Sequence, residues 1–394
     1  MRRVMIAGMG AVSSAGDSVY STRSAFNAGE RQTISGICLS PLIEKPLFLA
    51  AGFSAPHSHD EGMRTIQLCV KALAEALDSA ALTETELSRY RIGVCLGTTV
   101  ASQLNDINYY RTYKKTGSAP MDAVDRYLKG NLAEYCVEKY GLSGPCISVV
   151  NACSSGTDAI GIGLSWIRAN ICDIVIAGGA DELNPVPYAG FNSLGILSDT
   201  VCTPFDVDRS GLNLGEGAGI VILEAEDHVH NRKGRSLACC AGYAAANDAY
   251  HLTAPHPEGR GLSVAIEKAL SDAMIDARDI AFINAHGTGT KDNDLVEGRV
   301  LKNIVSSETP FISTKGYTGH TLGAAGGLEA VFTVMGLQDG WIPLSAGFFT
   351  VDEEIGVAPV SVKTMVQGNY AMSTSLAFGG NNAALVIGRI EEDA

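Results

Sequence analysis

The chemistry in this chain rests on one cysteine and two histidines, each set in a short run of small or polar residues. The cysteine is Cys153, in Val149-Val150-Asn151-Ala152-Cys153-Ser154-Ser155-Gly156. An apolar strand running into a helix would hold it on an exposed elbow, where the positive end of the helix dipole favours thiolate. His286 lies in Asn284-Ala285-His286-Gly287-Thr288-Gly289-Thr290, which sets a titratable imidazole beside two hydroxyls able to bond a polar ligand. His320 closes Ser313-Thr314-Lys315-Gly316-Tyr317-Thr318-Gly319-His320, and Gly323-Ala324-Ala325-Gly326 opens a helix behind it. Taken singly, each of these also reads as a buried structural group. Together, a thiol and two imidazoles on turn elbows point to acyl transfer through a thioester. Two further clusters accompany them. Pro204-Phe205-Asp206 through Arg209, Gly211 and Gly215-Glu216-Gly217-Ala218-Gly219 holds no nucleophile and reads as a structural loop under the site. Phe378-Gly379-Gly380-Asn381-Asn382 reads either as a plain hairpin turn or as a backbone N–H presented to the thiol.

These clusters need elements to carry them, and the hydrophobic periodicity supplies them at the ends of strands, where open α/β sheets place their ligands. Helices are expected over Arg64–Leu82, Ser155–Ala169, Leu262–Ile275, Asp294–Val305 and Ala324–Leu337. Strands are expected over Ile92–Leu96, Ile147–Val150, Asp173–Ala177, Ile280–Asn284, Phe311–Ser313, Met372–Ala377 and Ala383–Gly388. Alternating strands and helices from end to end give an α/β fold. The N-terminal Met1-Arg2-Arg3-Val4-Met5-Ile6-Ala7-Gly8 reads as a first strand running into a Gly turn, not as a signal peptide. The polar, basic His228–Arg235 joins two halves, 1–235 with the cysteine and 236–394 with the histidines. Asn105–Asp125 is a surface excursion, a cap over the pocket or a dimer contact.

The 394 residues are 46% hydrophobic and 18% charged, enough for a large core and incompatible with a disordered or fibrous chain. A formal net charge of -14 argues against a nucleic-acid partner, which needs a basic face. No apolar run reaches the roughly 18 residues that span a bilayer, so a soluble, cytoplasmic protein without a membrane partner is expected. The 10 cysteines form no CxxC pair, which leaves a zinc site unsupported and makes most of them small buried hydrophobes of a reducing compartment. No metal site is expected among them.

In order, spacing and flanks, the five clusters resemble the signature set of β-ketoacyl-(acyl carrier protein) synthases that elongate fatty acids, polyketides and polyenes, from about Val4 to Gly388. The resemblance implies the thiolase fold, with two pseudo-twofold-related α/β halves stacked as five αβαβα layers. It implies a decarboxylative Claisen condensation of malonyl-carrier protein with an acyl chain on Cys153. No cofactor is implied, because phosphopantetheine of the acyl carrier protein brings the substrates. His286 and His320 would complete a Cys-His-His triad, and Lys315 would support their electrostatics. Thr288 and Thr290 would hold the phosphopantetheine arm. The backbone amides of Cys153 and Phe378 would form the oxyanion hole, with the Phe378 ring as a gate. Asp294, Glu297 and Glu329 would support the site, and Glu329 with Asn284 is the candidate holder of a structural cation. The implied partners are the acyl carrier protein and a second subunit, making a homodimer or a heterodimer with a related ketosynthase or chain-length factor.

The chain departs from the family pattern at Asn151, where Thr or Ala is usual, at Gly289, at Lys291-Asp292-Asn293, and at Ala377 and Asn381. Ala377, in place of Gly, would restrict the swing of the Phe378 gate. Where relatives carry several Lys and Arg, this chain reads His57-Ser58-His59-Asp60-Glu61-Gly62-Met63, leaving Arg64, Arg111, Lys114, Lys115, Arg126 and Lys129 as cations for an acidic carrier. A second subunit supplying part of that docking face follows as a hypothesis. A degradative thiolase would need a cysteine near the C-terminal glycines, and the last one here is Cys240. A subunit that only shapes the pocket of a heterodimer would normally lack Cys153. Initiating and plant-type synthases would carry Asn where His320 stands.

Overall fold

One strand topology, used twice, accounts for the architecture. A computed structural model describes residues 2–33, 44–53, 63–305 and 308–390. The first set of strands is β1 (Val4–Val12), β2 (Ile92–Gly97), β3 (Cys146–Val149), β4 (Ile174–Asp181) and β5 (Gly217–Ala225). The second is β6 (Ala238–Asn247), β7 (Ile280–Asn284), β8 (Phe311–Ile312), β11 (Tyr370–Ala377) and β12 (Asn381–Gly388), with β9 (Trp341–Ile342) and β10 (Thr364–Met365) as a separate ribbon. The large sheet runs β3-β2-β4-β5-β1-β6-β12-β11-β7-β8. Read from either end toward its middle, it repeats the same order, third-second-fourth-fifth-first. The pairing senses repeat too. In each half the third, second and fourth strands are parallel, and the fifth is antiparallel to both of its neighbours. The halves meet where Met5 and Ile6 of β1 pair with Cys239 and Ala238 of β6.

The helices of the first half are α1 (Val19–Ala28), α2 (Arg64–Ser79), α3 (Glu84–Arg89), α4 (Ile107–Thr116), α5 (Asp122–Leu128), α6 (Leu132–Tyr140), α7 (Ser155–Arg168), α8 (Pro185–Ser193) and α9 (Glu226–Asn231). Those of the second are α10 (Arg260–Ala273), α11 (Lys291–Ile304), α12 (Lys315–Thr318) and α13 (Ala325–Asp339). On the first half α2 packs outside and α7 inside; on the second α10 packs outside and α13 inside. Because α7 and α13 also touch each other, they form one shared central layer, and the stack is α2, sheet, α7 with α13, sheet, α10. This is the five-layer arrangement expected. Burial explains the sequence of the central layer. Every residue of α13 from Ala325 to Leu337 is buried, so it carries no polar stripe.

The glycines of this layer set how closely it packs. A Cβ on Gly156 would lie 2.7 Å from the Gly327 nitrogen, and one on Gly326 would lie 2.0 Å from Thr157 Oγ1. The same effect corrects the reading of the N-terminus. β1 does not turn at Gly8 but continues to Val12. A Cβ on Gly8 would sit 2.3 Å from the Ala76 oxygen of α2, and one on Gly10 would sit 2.0 Å from that of Ala72. These glycines admit a helix; they do not bend a strand. The fourth cluster is likewise corrected at its C-terminal end, because Gly217-Ala218-Gly219 begins the buried strand β5. Gly219 lies against the backbone of Gly327 and Leu328 in α13. The strand β6 escaped the periodicity reading because Ala238–Asn247 is mostly Ala, Cys and Gly.

The excursion is real and helical. No residue of α4 is buried, and Arg111, Lys114 and Lys115 are exposed on it. Arg64, by contrast, is turned inward as an ion pair with the buried Glu216 (2.5 Å), and Arg126 is paired with Asp106 (3.2 Å). The stretch 57–62 lies outside the described residues, as does Cys38. Of the other nine cysteines eight are buried and Cys146 is exposed; none is in a disulfide. Among the described residues no helix is long and apolar enough to cross a membrane.

Candidate active site

Equivalent places in the two halves supply the reactive groups. Cys153 follows β3 and stands just before α7; Lys315 and His320 follow β8 and stand before α13. His286 follows β7 and Phe378 follows β11. Strand ends of both halves therefore converge on the central layer. Cys153, His286, His320, Thr288, Thr290 and Phe378 line a single cavity of about 340 Å³, walled also by Phe191, Leu212, Pro255 and Leu376. Lys315, Asn284, Asp294, Glu297 and Glu329 are all buried and lie behind that surface, where they hold the residues that line it.

The two imidazoles are fixed in the same tautomer. Lys315 Nζ lies 3.0 Å from His286 Nδ1 and donates to the His286 carbonyl (2.6 Å) and to the Glu329 carboxylate. An ammonium has no acceptor, so His286 Nδ1 accepts and Nε2 carries the proton. At His320 the Leu322 N–H donates to Nδ1 (3.1 Å), with the same result. The rings meet edge to face, with centroids 5.2 Å apart. Burial holds both well below the usual histidine range; Lys315 adds to the shift at each, and His320 adds to it at His286. Two neutral N–H donors stand side by side.

The acids are clamps. Glu297 accepts from the backbone N–H of His286 and of Gly287 (2.8 Å each) and from Thr374 Oγ1 (2.7 Å). Asp294, one helical turn earlier on α11, accepts from the N–H groups of Thr288 (3.0 Å), Gly289 (3.1 Å) and Phe205 (2.7 Å). Spacing of three on a helix puts both carboxylates on one face, under the loop that presents His286 and the two threonines. Thr288 and Thr290 share a hydrogen bond of 2.8 Å. Burial raises Glu329 to about 7 despite Lys315. Its Oε2, and Ser373 Oγ on the strand beside Asn284, are buried without a protein partner. Oxygen donors of this kind suit a hard cation. No group of three or more His, Cys, Asp or Glu that could hold a metal occurs among the described residues.

The expectation of a thiolate at Cys153 is corrected. The thiol is only 5% exposed, and burial pushes it up to about 11; Lys315 and a hydrogen bond from the Phe378 N–H pull the other way, while Asp181 and Glu329 add to the rise. Loss of water is the largest influence on this sulfur and disfavours its charged form. The Phe378 N–H thus reaches the thiol, and the same turn closes the β11–β12 hairpin, so both readings of the fifth cluster hold. Ala377 has φ −132 and ψ 156, ordinary extended backbone, so alanine imposes no strain there in this conformation. Freedom is needed instead at Gly379 (φ 82) and Gly380 (φ 76). Asn381 Nδ2 donates to the Phe378 carbonyl (3.3 Å), and Asn247 Nδ2 donates to Gly379 O (2.9 Å) and to Asn381 Oδ1 (2.7 Å). The Phe378 ring stacks on Phe191 at 5.4 Å.

Sequence reasoning missed Phe191, Asn247 and Asp181. The last is buried at the end of β4 and accepts from Thr98 Oγ1 (2.7 Å), Thr99 Oγ1 (2.7 Å), and the N–H groups of Val100 (2.8 Å) and Gly323 (2.7 Å). It ties the turn after His320 to the first half. An acid closing the apolar run Ile174–Ala180 was the available signal.

Comparison with known proteins agrees with this geometry. The signature of the Beta-ketoacyl synthase N-terminal domain matches residues 43–228, and that of its C-terminal domain matches 237–349. The 3-oxoacyl-[acyl-carrier-protein] synthase 2 of Vibrio cholerae is 32% identical over 99% of both chains; that of Staphylococcus aureus is also 32% identical over 99% of both. Among solved structures, the ishigamide ketosynthase/chain length factor matches with a TM-score of 0.91 and 30% identity over 99% of this chain and 100% of that one. A type II polyketide ketosynthase in complex with its acyl-carrier protein matches with a TM-score of 0.90 and 25% identity over the same shares.

Proposed function

Because the chain belongs to the β-ketoacyl synthase family, we propose that this cavity catalyses the condensing reaction of a 3-oxoacyl-[acyl-carrier-protein] synthase through Cys153, His286, His320 and Phe378. The sulfur of Cys153 attacks the thioester of an acyl-carrier protein. A new S–C bond forms, the arm's S–C bond breaks, and the thiol proton ends on the departing arm. Malonyl-carrier protein then loses CO2, and the electron pair of the broken C–C bond becomes an enolate. Its oxygen is met by the two Nε2–H groups, which need no proton transfer to act. The enolate carbon attacks the acyl group on Cys153, and that oxyanion faces the N–H groups of Cys153 and Phe378. Cys153 leaves as thiolate and takes up one proton. Thr288 and Thr290 hold the arm, Lys315 keeps the His286 tautomer, and Asp294 and Glu297 hold the loop.

The observation that carries this reading is the pair of neutral imidazoles with both Nδ1 atoms occupied, opening on the same cavity as the thiol. Glu329, with Asn284 and Ser373, is the place for a structural cation. The boundary between the halves falls at 235/236, between α9 and β6. No redox or nucleotide cofactor takes part, and free cysteines suit a cytoplasmic setting. The partners are an acyl carrier protein and a second subunit of the same family. A heterodimer with a chain-length-factor-like subunit is favoured by the likeness to the ishigamide ketosynthase/chain length factor.

The test is mass spectrometry of the pure protein with acyl- and malonyl-carrier proteins, alone and with the related subunit. Acylation of Cys153 followed by a β-ketoacyl carrier is expected. Its absence under both conditions would sink the proposal, and turnover only with the second subunit would establish the heterodimer.

A further inference from the structure

The elbow that carries Cys153 is strained, and a buried carboxylate five residues further on gathers the groups that restrain it. Ala152 has φ +50, a left-handed conformation that costs an L-residue about 1–2 kcal/mol. Asp158, in the first turns of α7 and only 5% exposed, accepts from Asn151 Nδ2 (2.6 Å), from Ser154 Oγ (2.8 Å) and from Tyr243 OH (2.7 Å). Asn151 and Ser154 flank Ala152 and Cys153. Ser155 Oγ accepts from the Asn151 N–H (2.8 Å) and donates to the Ala152 carbonyl (2.6 Å). Tyr243 comes from β6, in the other half of the molecule. Its backbone is held by Asp272 of α10 (3.0 Å), which also pairs with Arg168 at the far end of α7 (2.8 Å). Gly161 makes room for its ring, since a Cβ there would lie 2.2 Å from Tyr243 Cδ1.

We infer that Asn151, Asp158 and Tyr243 are positioning residues for the nucleophile, with Tyr243 registering the elbow of the first half against the second. The inference deepens the ketosynthase reading. The strained turn fixes where the Cys153 sulfur and N–H stand, and the turn keeps its shape only while Asn151 is held by the carboxylate. Asn151 Nδ2 and Tyr243 OH reach different oxygens of Asp158, so one carboxylate plane transmits the position of β6 to the elbow. Hydrogen bonds to a buried charge polarise one another, so their losses should couple.

The test is single-turnover acylation of Cys153 by an acyl-carrier protein, with iodoacetamide alkylation of Cys153 and the thermal midpoint measured on the same samples. Tyr243→Phe should slow acylation by about tenfold, the rate equivalent of losing one hydrogen bond to a charged group. The concentration dependence on carrier should hardly move, and the thermal midpoint should fall by no more than a few degrees. Asn151→Ala and Asp158→Asn should each lose about tenfold or more, and the exchanged pair Asn151→Asp with Asp158→Asn should recover most of that loss. The Tyr243→Phe and Asn151→Ala losses should not multiply, because both act through Asp158. Folded variants that acylate at the unmodified rate, or losses that multiply freely, would overturn the inference. So would a loss that merely follows the thermal midpoint. If the unmodified protein takes no acyl group, alone or with the second subunit, the ketosynthase reading fails instead, and altered alkylation rates still report on the elbow.

Discussion

The pH dependence of Cys153 alkylation separates the two forces acting on the thiol. A thiol raised to about 11 is roughly one part in 10⁴ thiolate at pH 7 and one part in 10 at pH 10. Its reaction with a small neutral reagent such as iodoacetamide should therefore rise about tenfold for each pH unit across this range. A thiol at the ordinary 9.0 would gain less than about twofold between pH 9 and pH 10, and one dominated by the helix dipole would be flat from pH 7 upward. Peptide mass spectrometry of samples quenched at fixed times gives the rate at Cys153, with the exposed Cys146 as an internal control that reacts ahead of it. A rate at Cys153 that levels off below pH 9 would refute the claim that burial dominates. Removing the charged pair behind the site, as Lys315→Met with Glu329→Gln, takes away the strongest influence favouring thiolate and should slow the reaction at every pH.

Three further outcomes follow from the same geometry. His286→Ala and His320→Ala each delete one N–H donor to the enolate and should lower malonyl decarboxylation on the order of 10²–10³-fold; acyl transfer to Cys153, which faces backbone amides, should fall much less in the single-turnover assay. Both imidazoles stay neutral when folded but take up protons below about pH 6.5 once unfolded, so the unfolded state binds more protons and stability falls as pH drops. Replacing either with Gln should remove about 1.4 kcal/mol per pH unit from that decline, measured by denaturant unfolding between pH 6 and pH 5; an unchanged slope would show that the ring is not held neutral. Lys315→Met alone leaves Glu329 buried without its ion pair, so its carboxyl should take up a proton, and the variant should lose about 1–3 kcal/mol of stability, most of it recovered in the double variant with Glu329→Gln.

What could be read from the sequence was local. A strand, a turn of small residues and a helix are contiguous in the chain, so Cys153, His286 and His320 each carried their setting with them, and Ile280–Asn284 was bounded correctly. β1 was cut short and β6 passed over for one reason. In both, glycine and alanine answer to a helix packed against the strand, α2 on β1 and α10 on β6, and the strand's own residues carry no mark of that helix. The sign of the thiol shift was misjudged for a related reason: a dipole can be read from the start of a helix, but desolvation depends on every element that closes over the sulfur.

The same distinction divides the site residues. Asp294 and Glu297 were named through the family resemblance, and they sit on the helix that follows the loop they clamp. Asp181 was not, because its role depends on Gly323, 142 residues away, and Tyr243 reaches Asp158 across 85 residues. Both long-range contacts join one half to the other. The duplicated topology explains why they are needed. Each half ends its strands at the central layer, but the thiol belongs to one half and both imidazoles to the other. A slip of α7 past α13 would separate them without unfolding either half. Close packing at Gly156, Gly326 and Gly327 resists that slip by shape, and Asp181 and Tyr243 resist it by hydrogen bonds to buried carboxylates. Chemistry split between two halves requires fixed points on both sides of the split, and residues of that kind are set by the register between the halves, which no stretch of either one specifies.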